Sequence, residues 1–172
     1  MFRCMVRQEG EITRIVWSGG FTLIEILIVV AILTIAAVMA VPMMTSADSV
    51  QLSSAANMVA ADLEYAKSFA ITNGQSCKVV FDTFAETYRI EDSTGNVIEH
   101  PVKKGFDYVV DFTSDNRISR VSIESVDFNL TGQVQFDCLG SPDNGGTITL
   151  DANGQSMTVN VEPVTGFISI TD

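Results

Sequence analysis

Positive charge is what this chain has least of. Its 172 residues hold ten lysines and arginines against twenty-one aspartates and glutamates, a formal net charge of −11. A protein that grips a phosphate backbone does so with lysine and arginine, which displace counterions. A chain this acidic is not expected to bind nucleic acid, and it is poorly suited to an anionic lipid surface. Histidine is rarer still, with His100 the only one. It stands between Glu99 and Pro101, reads as a solvated loop residue, and leaves no second histidine for a metal-binding pair. No Cys-x-x-Cys, Gly-x-Ser-x-Gly or phosphate-cradling glycine loop occurs. No catalytic residue, cofactor or metal ligand set is therefore assigned. Residues 92–96, 111–116 and 143–144 are rich in the oxygen ligands calcium takes. None has EF-hand spacing, and such residues are ordinary turn formers.

Charge is missing in another way near the N-terminus. From Phe21 to Met44 there is one formal charge, Glu25, and residues 26–41 form an apolar run. A helix over 21–41 would be roughly 30 Å long, about one hydrocarbon thickness. A carboxylate at the head of such a span costs on the order of 3 kcal/mol if it stays ionised and unpaired. Glu25 is therefore expected to have a partner. Residues 1–20 carry Arg3, Arg7 and Arg14, and beyond the span the first basic residue is Lys67. This asymmetry places the N-terminus in the cytoplasm and the rest across the membrane. A rival reading is a secretory signal with a small-residue cleavage site at Val38-Met39-Ala40, which would release a soluble protein starting at Val41.

The string Gly20-Phe21-Thr22-Leu23-Ile24-Glu25, with the apolar run behind it, resembles the N-terminus of type IV pilins and type II secretion pseudopilins. The resemblance implies cleavage by a prepilin peptidase between Gly20 and Phe21, and N-methylation of Phe21. It implies that Glu25 pairs with the N-terminal ammonium of a neighbouring subunit, two opposite charges that stabilise each other only when both are present and close. It implies other pilin or pseudopilin subunits and an inner-membrane assembly platform as partners. The place implied is the bacterial inner membrane, crossed once, with the C-terminal domain in the periplasm. Two departures from the pattern stand out: residues 1–20 are longer than many leaders, which a start at Met5 would shorten, and no lysine or arginine sits just before Gly20. Losing residues 1–20 would leave seven bases against nineteen acids, a charge of −12.

Past the run, Pro42 removes a backbone donor and disfavours helix at Val41, so a kink or short unwound piece is expected there. In the pilin family a proline at this depth marks a segment that melts on entering the filament, and Pro42 takes that role by resemblance. Helical spacing resumes after 46–48. Leu52, Ala56, Val59, Leu63, Ala66 and Ala70 form one apolar stripe expected to pack on the globular domain, and Asn73-Gly74 is a stop signal. From Cys77 the pattern changes to short β-branched and aromatic runs at 78–81, 87–90, 97–98, 108–112, 120–123, 126–130, 134–137, 147–150, 157–161 and 167–170. Asn153-Gly154 reads as a two-residue hairpin turn.

The expected fold is α+β, a long N-terminal α-helix followed by an antiparallel β-sandwich-like domain. Its expected divisions are a leader over 1–20, a transmembrane and filament-core helix over 21–44, an amphipathic continuation over 45–74 and a periplasmic β domain over 75–172. Cys4 falls in the leader. Cys77 and Cys138 leave two alternatives, a bridge or two free thiols. A bridge would close a loop of about 60 residues and contribute on the order of 4 kcal/mol.

One long helix followed only by strands narrows the resemblance to the GspH/FimT-type minor pseudopilins. Residues 63–71 (LEYAKSFAI) match the helix end of that group, with Lys67 where arginine is usual. Residues 128–132 and 165–168 match its C-terminal strands. Some relatives bind DNA through arginines in the last strand; residues 166–170 here contain none. The expected function is a minor pseudopilin or pilin subunit of a type II secretion or type IV pilus machine, and not an enzyme. The alternative is a tip-located module that binds an exported protein, a surface or DNA.

Overall fold

The computed structural model describes residues 22–172, apart from the side chains of 38–46. The chain forms two compact units divided between Ala40 and Val41. A single helix, α1 (Leu23–Asn73), begins in the first unit and ends in the second. The unwound piece expected at Val41 is absent, since α1 is assigned as helix straight through Pro42. A proline inside a helix removes one backbone hydrogen bond, and the turns on either side keep theirs.

The second unit contains the rest of α1 and eight strands. These are β1 (Cys77–Asp82), β2 (Thr87–Glu91), β3 (Val109–Asp111), β4 (Ser122–Asp127), β5 (Gln133–Phe136), β6 (Gly146–Ala152), β7 (Gln155–Val161) and β8 (Ile168–Thr171). They form two four-stranded sheets, in the orders β3-β2-β1-β5 and β4-β6-β7-β8. Every pairing is antiparallel. Period-two alternation turns Cys77, Val79 and Phe81 inward while Lys78 and Val80 stay half-exposed. Val79 is flanked by Ile90 on β2 and Val134 on β5. Ile148 on β6 is flanked by Val126 on β4 and Val159 on β7.

The apolar stripe of α1 closes this core. Leu52, Ala56, Val59, Leu63, Ala66 and Ala70 are all buried, joined by Ala55, while Ser54, Asn57 and Glu64 face solvent. Each buried Leu, Val or Ile contributes about 1.5–3 kcal/mol over an exposed one. The alanines contribute less and let the strands come close to the helix axis. Side-chain ties fix the helix at both ends. Arg120 Nη1 donates to Asp48 Oδ1 at 3.0 Å and Asn153 Nδ2 donates to Asp48 Oδ2 at 3.3 Å. At the other end, Lys67 Nζ donates to the Gly166 carbonyl at 3.0 Å. Lys67 thus holds the β7–β8 turn onto the helix.

The expected strands are corrected at two places. The runs 120–123 and 126–130 contribute to one strand, β4, which covers only Ser122–Asp127 and whose register shifts between Ile123 and Ser125. A bulge of that kind hides continuity, because it breaks the period-two pattern. The chain then reverses at Asn129 and Leu130, with φ 55° and 67°, while Phe128 and Thr131 exchange both backbone hydrogen bonds. Leucine is an unusual residue for that conformation, and it is 95% exposed. Residues 97–98 make only an isolated bridge, Glu91 to Val97. Asn153-Gly154 forms its hairpin as expected, with φ 56° and 81°.

Cys77 and Cys138 are unbridged, the first buried and the second exposed. Cys77 stands opposite Phe136 in the β1–β5 ladder, so Cys138 lies two positions further along. β5 has ended by then, and Cys138 lies in the turn closed by the Asp137 amide on the Ser141 carbonyl. Burial pushes the Cys77 thiol up to about 11. Maleimide should therefore label Cys138 within minutes and Cys77 only after denaturation, giving one adduct by mass in native protein that lacks the Cys4-bearing residues 1–20. A native protein that takes up none at all would indicate a bridge.

Gly146 opens β6 where it passes the end of β4. A Cβ there would sit 2.2 Å from the Asp127 carbonyl oxygen and 2.4 Å from Phe128 Cδ1. Neither atom has room to retreat, since Phe128 is fully buried. The substitution G146A should destabilise the domain by about 2–3 kcal/mol, measured by denaturant unfolding. A midpoint matching the wild type would show that β4 and β6 do not approach as described.

Candidate assembly site

In the first unit α1 is apolar all round. Leu23, Ile24, Ile26, Leu27, Ile28, Val29, Val30, Ile32, Leu33 and Ile35 are each at least 45% exposed, in every direction around the helix. A helix with apolar residues on all faces belongs in a protein core or in lipid. No part of this chain covers it among the described residues. Thr34, the polar residue inside this stretch, turns its hydroxyl onto the Ala31 carbonyl at 2.8 Å, so its donor is satisfied within the helix. No helix among the described residues is long and apolar enough to cross a membrane. The described side chains of the apolar run stop at Ala37.

Glu25 lies in the first turn of α1. Thr22 and Glu25 cap the helix reciprocally. The Glu25 amide donates to Thr22 Oγ1 at 3.2 Å, and the Thr22 amide donates to Glu25 Oε2 at 3.5 Å. This Thr-x-x-Glu box satisfies helix donors that would otherwise have no partner, and it puts a carboxylate at the positive end of the helix dipole. The spacing was legible in the sequence; reading Glu25 only as an ion-pair residue passed over it. At 3.5 Å the second bond is at the outer limit of a hydrogen bond, and a carboxylate accepts about four. Most of the acceptor capacity of Glu25 is left over.

Gly20 and Phe21 lie outside the described residues. Pro42 is in the helical backbone and its side chain lies outside the description. Cys77 and Cys138 belong to the second unit and contribute nothing to this site. His100, expected as a solvated loop residue, is instead half-buried and stacked on Tyr108, ring centroids 4.5 Å apart. Its Nδ1 accepts the amides of Val102 and Lys103 at 3.1 and 3.2 Å, which shapes the loop. The oxygen-rich stretches are turns. Asp92 Oδ1 accepts the amides of Thr94 and Asn96, and Asp111 Oδ1 accepts those of Thr113 and Ser114. Among the described residues no group of three or more His, Cys, Asp or Glu side chains is placed to hold a metal ion.

The sequence profile of the family described as type II transport protein GspH matches residues 55–165. That of the prokaryotic N-terminal methylation motif matches residues 18–41, spanning Gly20, Phe21 and Glu25. No curated protein matches closely enough to count as a relative. Among solved structures, the minor pseudopilin EpsH from the type II secretion system of Vibrio cholerae superposes with a TM-score of 0.50 at 10% identity, covering 70% of this chain and 92% of its own. That likeness is one of fold. The type IV minor pilin FimU of Pseudomonas aeruginosa (strain PAO1) aligns with a TM-score of 0.49 at 18% identity, covering 70% of this chain and 88% of its own. The GspH profile spans the second half of α1 and seven of the eight strands in full, and the methylation motif heads the helix. The chain therefore belongs to the type II transport protein GspH family, as a subunit of the minor pseudopilin and pilin kind.

Proposed function

We propose that this chain is a structural subunit that waits in the bacterial inner membrane and enters a short filament by its N-terminal helix. A prepilin peptidase removes residues 1–20, cutting between Gly20 and Phe21, and Phe21 is N-methylated. Residues 21–44 then cross the membrane once, with the new N-terminus on the cytoplasmic side. Residues 45–74 continue the helix, and the β domain over 75–172 stands in the periplasm. An inner-membrane assembly platform and other pilin or pseudopilin subunits are its partners, in a type II secretion or type IV pilus machine. The role is one of assembly and not of catalysis.

The observation that carries this reading is the bare apolar first stretch of α1 with Glu25 at its head. Lipid or neighbouring helices are the environments that suit such a surface. Within either, an ionised Glu25 with one long hydrogen bond costs about 3 kcal/mol. The ammonium of a second processed subunit offsets that cost once the two helices lie side by side. Attraction of this kind acts at one height along the helix, so it sets register as well as affinity. Pro42 supplies a point lacking one helical hydrogen bond, where α1 opens most easily on entry to the filament.

The two duties of Glu25 separate by substitution. Glutamine at this position still completes the capping box but carries no charge. Both E25Q and E25A should reach the membrane at the wild-type level, and both should enter filaments about tenfold less or worse. The check is quantitative blotting of sheared filaments against membranes. Normal incorporation of E25Q would show that Glu25 serves the helix cap alone.

A further inference from the structure

The second unit holds a cavity of about 440 Å³ that no assembly reading uses. Its walls come from α1, the edge strand β3 and the loops around His100 and Asp115. Asp62 faces it from α1, with Met58 one helical turn earlier. The phenols of Tyr88 and Tyr108 donate to Asp62 Oδ2 and Oδ1 at 2.5 and 2.9 Å. Tyr108 and the His100 ring stacked on it form an aromatic wall.

The two fully buried acids described in this unit have cations, whereas Asp62 is half-buried. Glu91 is held between Lys78 Nζ at 2.9 Å and Arg89 Nε at 2.6 Å, and Asp48 is paired with Arg120. Asp62 has phenols only. Burial pushes its carboxyl above the usual aspartate range, against the pull of the two phenol bonds and of His100. Around the cavity stand Asp62, Asp111 and Asp115 against Lys103 and Arg117, and Arg117 is already bound to Asp115. The balance is one negative charge beside the stacked rings of Tyr65, Tyr108 and His100, which favours a cation over an anion. The volume lies near the low end of small-ligand sites, about 300–1,000 Å³, and admits a long side chain with its flanking backbone.

The rim indicates what kind of molecule brings the cation. β3 pairs only with β2; on its other edge the Val109 amide is taken by the Asp107 carbonyl and the Asp111 carbonyl by Ser114 Oγ, which leaves the Val109 carbonyl and the Asp111 amide along the cavity, beside the exposed Val109 side chain. An extended polypeptide pairs with such an edge through its main chain and drops alternate side chains to one side. We propose that this cavity receives a lysine or arginine side chain from an extended segment of another protein, its cationic head meeting Asp62 against the Tyr108 and His100 rings. The inference concerns the β domain alone, so its failure would leave the role of Glu25 untouched.

His100 is the only histidine in the chain, so its ring protons give one resolved NMR reporter on the cavity wall. The full-length protein in neutral detergent is titrated with N-acetyl-lysine N-methylamide, with the arginine analogue, and with the uncharged norleucine analogue. The lysine and arginine probes should shift the His100 signals saturably, with a dissociation constant of about 10 mM or tighter. Norleucine should leave them in place. D62N removes the charge, and M58K places a tethered ammonium one turn away, filling the site from within. Each should weaken the lysine probe tenfold or more, and M58K carries the test if D62N does not fold. The proposal is overturned if the lysine probe gives no saturable shift, if norleucine matches it, or if the folded variants bind as the wild type does.

Discussion

An apolar helix that none of the described residues covers has to be covered by something else. The first stretch of α1 displays leucine, isoleucine and valine on every side, with one carboxylate at its head. That surface excludes a life in water, and the carboxylate opposes a life in lipid alone. Association with other helices would meet both demands, since it would supply apolar contact and, in the proposed pairing, an ammonium for the acid. Membership of the GspH family and the N-terminal methylation motif fit this physical requirement.

The same helix changes its surroundings along its length. Past Asp48 its apolar residues narrow to a stripe of alanine, leucine and valine, and two sheets cover it. Covering a helix with strands demands small residues at the contact and polar ties at the margins. Ala55, Ala56, Ala66 and Ala70 meet the first demand, and the ties from Asp48, Asp62 and Lys67 meet the second. Three elements far apart in sequence are thereby fixed to α1: the β3–β4 connection through Arg120, β2 through Tyr88 and the β7–β8 turn through Gly166.

What could be read from the residues in order was whatever depends on neighbours in sequence. The helical stripe is a local periodicity, and all six of its named members are buried. Asn153-Gly154 is local turn chemistry, and it forms its hairpin. Most of what was not legible depends on where distant chain segments meet. The bulge in β4 is defined only by its pairing with β6. Leu130 adopts a positive φ because Phe128 and Thr131 are locked together across it, against the preference of leucine itself. Cys138 misses Cys77 because the β1–β5 register assigns Phe136 to that place. The tie made by Asp62 is not legible in the helix sequence, because its two phenols come from β2 and from the residue preceding β3. The Thr22–Glu25 cap is the exception, a local signal hidden behind a more specific resemblance.

The central claim is that Glu25 heads a helix whose start is created by cleavage, so the terminus of the native protein tests it most directly. Intact-mass and N-terminal fragment analysis of the protein extracted from membranes should find a chain beginning at Phe21 and carrying one methyl group on its amine. A chain that retains residues 1–20, or one that starts at Val41, would contradict it.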